Sequence, residues 1–324
     1  MATVYHYTDT QAFKGVVENA ALWATDFRYL NDSGELIYTW AAFVERLEKL
    51  VKNPGGHAQA YAAQLEALTL LNARDLMQFD DAMFVACFTE LPDEVTQWSG
   101  YGDKGRGVAL GFDSERIRTL KVPQYHHGLG GQIRPMATIL AGGPDSGQQA
   151  EFKWPANLRK VDYGDAARDR VVDGLIYMVE KIGEMSDDPK TLLFNCISQT
   201  HALVHRLPLV KRSTWEYEQE HRITITEHFG GRTLSYRKAV DGLGQQFSAF
   251  AQGALETVDV RFRPGEFTMF KPYVALPFER EALVSVVTGP AAKHPLVEAT
   301  VRRILDRNGF RHTTIQESQS PFQI

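Results

Sequence analysis

From Gly34 to Val51 the apolar positions Leu36, Trp40, Phe43, Leu47 and Leu50 step by four and three. That period puts them on one face of a long amphipathic helix. "NPGG", Asn53 to Gly56, ends it. The same reading predicts helices over roughly 58–71, 166–184, 190–206 and 294–308, and a short one around 93–101. Two compact apolar runs, "MFVACF" (Met83 to Phe88) and "GVALGF" (Gly107 to Phe112), predict buried strands. Strict alternation over "WEYEQEHRITIT", Trp215 to Thr226, predicts another strand. Shorter strands are expected near 258–262, 283–288 and 312–316.

The opening stretch, "TVYHYTDTQAFKGVVENAALWAT", predicts a strand over Val4 to Tyr7. Thr8 with Gln11 three residues on fits a capping box. Phe13, Val16, Val17 and Ala20 carry the helix that follows, and Leu22 to Thr25 a short exit strand. Together the pattern predicts an α+β fold, one domain over residues 1–324 with mixed strands and several long helices. Residues 123–155, with "HHGLGG" and "AGGPDSG", read as a loop insertion.

Composition narrows the function classes. Of 324 residues, 44% are hydrophobic and 23% charged, an ordinary globular balance. The net charge of −5 gives no global attraction to nucleic acid, though a local basic groove is compatible with it. The two cysteines, Cys87 and Cys196, lie in apolar runs and read as buried thiols. The sequence shows no apolar run of membrane-spanning length and no basic–apolar leader, so a cytoplasmic setting without membrane contact is expected.

Candidate chemistry concentrates in a few places. In a strand over 215–226, Glu216, Glu218, Glu220 and Arg222 share one face. Adjacent carboxylates repel unless water or cations separate them. The row is either a solvated strand face or a cleft floor that presents carboxylates to a sugar or a cation. At the N-terminus His6 and Thr8 share a face just before a helix start, a favourable place for a polar ligand. Tyr5 and Tyr7 take the other face. Thr89 and Glu90 end the first buried strand, and Trp98 and Tyr101 follow on the short helix. Those rings suit either stacking on a planar ligand or core packing.

Asn31, Asp32 and Glu35 in "YLNDSGEL" are explained by helix capping. His201 and His205 stand four apart in "HALVH", without the glutamate or third ligand of a zinc site. The sequence contains no Walker loop, GxSxG or CxxC, and no metal is expected.

Several phrases occur in a fixed order: "YHYT", "LWAT", "LND..E", "CFTE..D....WS.YGD...GVALGF", "KVDY", "WEYEQEHRI", "KPYVALP", "VVTGP" and a final "S..PF". The series resembles the bacterial domain-of-unknown-function 2971 family from Tyr5 to Phe322. The family label implies no activity. The opening stretch also resembles the first motif of ADP-ribosyltransferases of the diphtheria-toxin and poly(ADP-ribose) polymerase type, a His-x-Ser/Thr strand followed by a helix. Glu218-x-Glu220 is similar to the terminal glutamate strand of that fold.

That resemblance implies a split mixed or antiparallel sheet with flanking helices, and NAD as substrate. By it, Glu220 is the main catalytic carboxylate, Glu218 its partner, and Arg222 holds Glu220 ionised or binds a pyrophosphate. His6, Tyr7 and Thr8 position NAD, with Thr89, Trp98 and Tyr101 as further contacts. The departures are a Glu-x-Glu pair, typical of members whose first motif is Arg, and no clear second-motif tyrosine. The implied activity is ADP-ribosyl transfer to a protein or nucleic-acid acceptor, or NAD hydrolysis, in a toxin or antiviral defence effector. Two rival readings stay open. One is a module that senses a nucleotide or phage component without turnover. The other is a Mg²⁺ nuclease built on Asp32, Glu35, Glu218 and Glu220.

Overall fold

The computed structural model describes residues 2–30, 34–53, 55–78, 82–123, 125–127, 133–135, 153–204, 207–227, 234–244, 255–265 and 269–321. In chain order the elements are β1 (Thr3–Thr8), α1 (Thr10–Asn19), β2 (Ala21–Asp26), α2 (Gly34–Lys52), α3 (Ala58–Leu70), β3 (Ala82–Thr89), α4 (Val95–Gly100) and β4 (Val108–Asp113). Then come β5 (Thr119–Pro123), β6 (Tyr125–His127), β7 (Ile133–Pro135), β8 (Lys153–Lys160), β9 (Asp162–Tyr163), α5 (Asp165–Gly183), α6 (Pro189–Val204), β10 (Val210–Lys211) and β11 (Glu220–Glu227). The chain closes with α7 (Leu234–Asp241), β12 (Leu255–Thr257), β13 (Val260–Pro264), β14 (Phe270–Pro277), β15 (Leu283–Thr288), α8 (Val297–Arg307) and β16 (Thr314–Glu317).

The fold is α+β. Among the described residues, eleven strands join through pairing in one mixed sheet, with the path β13-β14-β2-β3-β1-β4-β15-β16 and a branch from β3 through β11 and β8 to β5. β3 explains the branch. Along one edge it pairs with β11 over its whole length, from Glu220↔Thr89 to Glu227↔Ala82. Along the other edge it meets β1 at Tyr5↔Thr89 and β2 at Thr25↔Val85 and Asp26↔Phe84. Between those two meeting points β1 and β2 diverge, and the sheet splits.

β3 is buried on both faces, which is why its sequence is continuously apolar. Met83 and Val85 pack into a core with Trp40 and Phe43 of α2, Leu68 of α3, Leu175 of α5 and Ile197 of α6. Phe84, Ala86 and Phe88 pack the other way, with Phe13 and Val17 of α1 and Leu305 of α8. The period of two therefore sorts one strand between two helical layers.

Several expected elements change. Asp9, not Thr8, caps α1: its Oδ1 accepts from the Ala12 amide at 2.6 Å. The alternation over 215–226 holds only from Glu220 onward. Ser213–Glu218 form a 3₁₀ helix and Gln219 adopts a left-handed φ of 44°. β14 and β8 carry Pro272 and Pro155, residues that argue against a strand reading, and both pair in register. The flanks of the 123–155 stretch are strands, β6 and β7 pairing with each other and β6 with β12. Its interior from 136 to 152 lies outside the described residues, as do Asn31, Asp32 and His205. Both cysteines are free, Cys196 fully buried and Cys87 less so.

Candidate functional site

The split opens a cavity of about 390 Å³, a size suited to small-molecule binding. It is lined by β1, the start of α1, the middle of β3, the end of α4, the turn into β11 and the β13–β14 hairpin. His6, Tyr7, Thr8, Tyr101, Glu218 and Glu220 all line it. Tyr5 and Glu220 are both register partners of Thr89, so strand alternation starts His6 and Glu220 from opposite faces of the sheet. The gap between β1 and β2 lets one cavity reach both.

His6 sits at the split itself. Its Nδ1 lies 2.8 Å from the carbonyl oxygen of Cys87. A carbonyl only accepts, so Nδ1 carries the proton. Burial pulls the imidazole below its ordinary 6.5, outweighing the upward pull of the Cys87 bond. The ring is neutral at pH 7, and its Nε2 is an acceptor.

Glu218 and Glu220 reach one cation because the left-handed Gln219 reverses the chain between them. Lys211 of β10 pairs with Glu218 and lies 2.8 Å from Glu220 Oε2. Arg222 clamps Glu220 with two bonds, Nε to Oε1 at 2.7 Å and Nη2 to Oε2 at 2.9 Å. All four side chains are almost fully buried, between 3% and 6% exposed. Two carboxylates and two cations make a neutral quartet. Burial alone would raise the Glu220 carboxyl. Arg222 first, then Lys211, overcome it and hold the group at about 2. Glu216, expected in the same row, is exposed.

The neighbours hold this arrangement in place. Tyr163 accepts from the Glu220 amide at 2.8 Å, and burial pushes its phenol up to about 12. Thr89 donates through its hydroxyl to the Glu218 carbonyl at 2.6 Å. The Cys87 thiol abuts Glu220; burial, then that negative charge, raises it well above its ordinary 9.0. It is therefore protonated and no nucleophile at neutral pH.

The remaining expected contacts divide. Tyr101 is 39% exposed at the cavity wall, its phenol kept protonated by lost hydration and by Glu218. Thr8 lines the cavity and is buried. Trp98 is 0% exposed and lies in a small core cluster with Tyr7, Ala109 and Val287. Its indole donates to Asp93 at 2.7 Å, and its ring meets Tyr7 edge-on at 4.7 Å. Tyr7 in turn donates to the Leu91 carbonyl and accepts from the Glu94 amide, each at 3.0 Å. Trp98 and Thr89 thus brace the wall rather than line it. Lys211 was not legible as a site residue, because "VKRSTWEYE" has no regular period that aims it at the glutamates.

A family model matches within this region. Residues 97–223 are similar to one family. The family is described as a protein of unknown function (DUF2971), and the match covers residues 97–223. That span holds Tyr101 and the whole Lys211–Glu218–Glu220–Arg222 quartet, but not His6. No curated protein and no solved structure matches the chain. Among the described residues no group of three His, Cys, Asp or Glu is placed to hold a metal ion, and no helix is long and apolar enough to cross a membrane.

Proposed function

We propose that this cavity binds NAD and that the protein is an NAD glycohydrolase or ADP-ribosyltransferase. One observation carries the reading: His6 and Glu220, 214 positions apart in the chain, line a single cavity of small-molecule size where the sheet splits. In the reaction the bond between nicotinamide and ribose C1′ breaks, and nicotinamide leaves neutral with the bonding pair. Water or an acceptor nucleophile adds to C1′ and loses a proton. Positive charge builds on the ribose ring on the way. A fixed carboxylate beside it is worth more in the transition state than in the ground state.

Glu220 suits that role because Arg222 and Lys211 keep it ionised at any physiological pH. Of the donors around it, the Cys87 thiol is the weakest, and it is the one a ribose hydroxyl displaces. Neutral His6 offers Nε2 to a hydroxyl or carboxamide N–H. Glu218 stands beside Glu220 to orient an acceptor.

A second reading, a nucleotide-binding module without turnover, is favoured by the closure of the quartet. Both carboxylates already have cations, and a closed network of this kind also serves as architecture. The Mg²⁺ nuclease reading loses support, since the Lys211 ammonium stands between the two carboxylates it would use.

The test is nicotinamide release from NAD by the purified protein, followed by chromatography with and without protein, DNA or RNA acceptors. Release should fall by roughly a hundredfold or more in Glu220→Gln. Wild-type protein that binds NAD by calorimetry yet releases no nicotinamide under any of these conditions would establish the binding module instead.

A further inference from the structure

The cavity has a second charged group, built on β13 and β14. Arg263 of β13 and Lys271 of β14 are register partners, so their side chains leave the same face. Both line the cavity. The carboxylates around it are largely spoken for. Glu218 and Glu220 have Lys211 and Arg222, Asp103 pairs with Arg106 at 2.9 Å, and Asp9 caps α1. No described carboxylate lies within ion-pair distance of Arg263 or Lys271.

Arg263 is moreover held in place before any ligand arrives. Its Nη2 donates to Thr25 Oγ1 at 2.9 Å, and its guanidinium lies over the Trp23 ring at 5.4 Å. Its Nε is buried without a hydrogen-bond partner. An arginine stays protonated in such a place, and a buried cationic donor left unpaired is costly. Asp9, whose side chain caps α1, acts on Arg263 through charge alone, so the Nε donor is left for an anion to fill.

We propose that Arg263 and Lys271 form an anion subsite of the cavity that seats a phosphate or pyrophosphate group of the ligand. The assignment rests on the cavity being the nucleotide site put forward above. It gives the ligand a direction: phosphates toward Arg263 and Lys271, on the side where Arg263 acts on His6, and hydroxyl-bearing sugar toward Glu220. Arg263 supplies a fixed planar fork, and Lys271 a mobile point charge. Arg222, the sequence candidate for a pyrophosphate, is consumed by Glu220 and cannot serve.

The experiment is calorimetric titration of the full chain with inorganic pyrophosphate and ADP, with adenosine as the uncharged control. Pyrophosphate should bind, and more weakly as sodium chloride is raised. Arg263→Gln should weaken pyrophosphate and ADP by about tenfold or more, and Lys271→Gln by a few fold, with adenosine unchanged. Lys271 is partly exposed, so its variant tests the subsite even where Arg263→Gln disturbs folding. Wild-type protein indifferent to pyrophosphate, or both variants binding it as wild type does, would overturn the subsite. Nicotinamide release separates the two proposals. Pyrophosphate binding through Arg263 and Lys271 without release leaves the subsite standing and removes the transferase. Release with a KM unchanged in both variants does the reverse.

Discussion

The Nδ1 of His6 donates to the carbonyl oxygen of Cys87 at 2.8 Å, across the point where the sheet splits. Cys87 lies on β3 between the residues that pair with β1 and those that pair with β2. A backbone acceptor there has lost its strand neighbour. The imidazole replaces the missing ladder bond, and the same bond fixes the tautomer that leaves Nε2 as an acceptor.

His6→Ala should therefore destabilise the protein by about 1–3 kcal/mol, because the Cys87 carbonyl is left without its partner. Urea unfolding measures it. The pH dependence has a definite sign. Below its ordinary 6.5 the unfolded His6 takes a proton that the folded ring resists. The unfolded state then binds more protons, so stability falls as pH drops from 6.5 toward the lowered folded value. Wild type should lose more stability than His6→Ala between pH 7 and about 5.

Glu220 gives a second window at lower pH. Its folded pKa of about 2 lies below its ordinary 4.5. Its contribution is present in full above the unfolded value and is lost as pH falls from 4.5 toward 2. Glu220→Gln should be less stable than wild type at pH 7, and its acid-denaturation curve should be flatter across that window. Equal slopes for the two proteins in acid would mean that Glu220 is not held as described.

Lys211 is the keystone of the quartet. Lys211→Met leaves Glu218 and Glu220 buried side by side with Arg222 as the remaining cation of the quartet, and should cost about 3–5 kcal/mol. Adding Glu218→Gln to Lys211→Met removes one stranded charge and should recover part of that loss. A double-mutant cycle on thermal or urea unfolding measures the coupling. Simple additivity would place the pair outside one network.

Trp98→Phe keeps an aromatic ring in the core cluster with Tyr7 but removes the indole bond to Asp93. A loss of about 1 kcal/mol in stability is expected. KM for NAD, or Kd for a nucleotide, should not move, since Trp98 braces the wall from behind. A change in KM with stability intact would restore Trp98 to the ligand contacts.

Much of this was legible in the chain. Apolar spacing marks α2 to within a few residues, because an amphipathic helix needs a stripe of one period to bury; α3, α5 and α6 also lie within a few residues of their expected bounds. β3 and β4 are legible because a strand covered on both faces must be apolar throughout. The glutamates, His6 and Thr8 stood out as site candidates from local pattern and resemblance. β14 and β8 did not, because their prolines break the local strand signal, while only the tertiary neighbours show that those positions tolerate the missing N–H. The 215–226 stretch misled for a related reason. Alternating residue types fit a strand, but the left-handed Gln219 and its 3₁₀ turn leave no such trace.

The sequence by itself determined the α+β class, most helices and buried strands, and which residues had the chemistry for a site. Only the tertiary structure decided how they meet. It joined Lys211 and Arg222 to Glu218 and Glu220, placed Trp98 in the core, and brought Arg263 and Lys271 to the same cavity as His6. The physical reason is range. Helical and strand periods are set by neighbours a few residues apart. The partner of a buried charge and the point where a sheet splits are set by strand pairings between residues 80 or more apart, such as Tyr5 with Thr89 and Glu220 with Thr89.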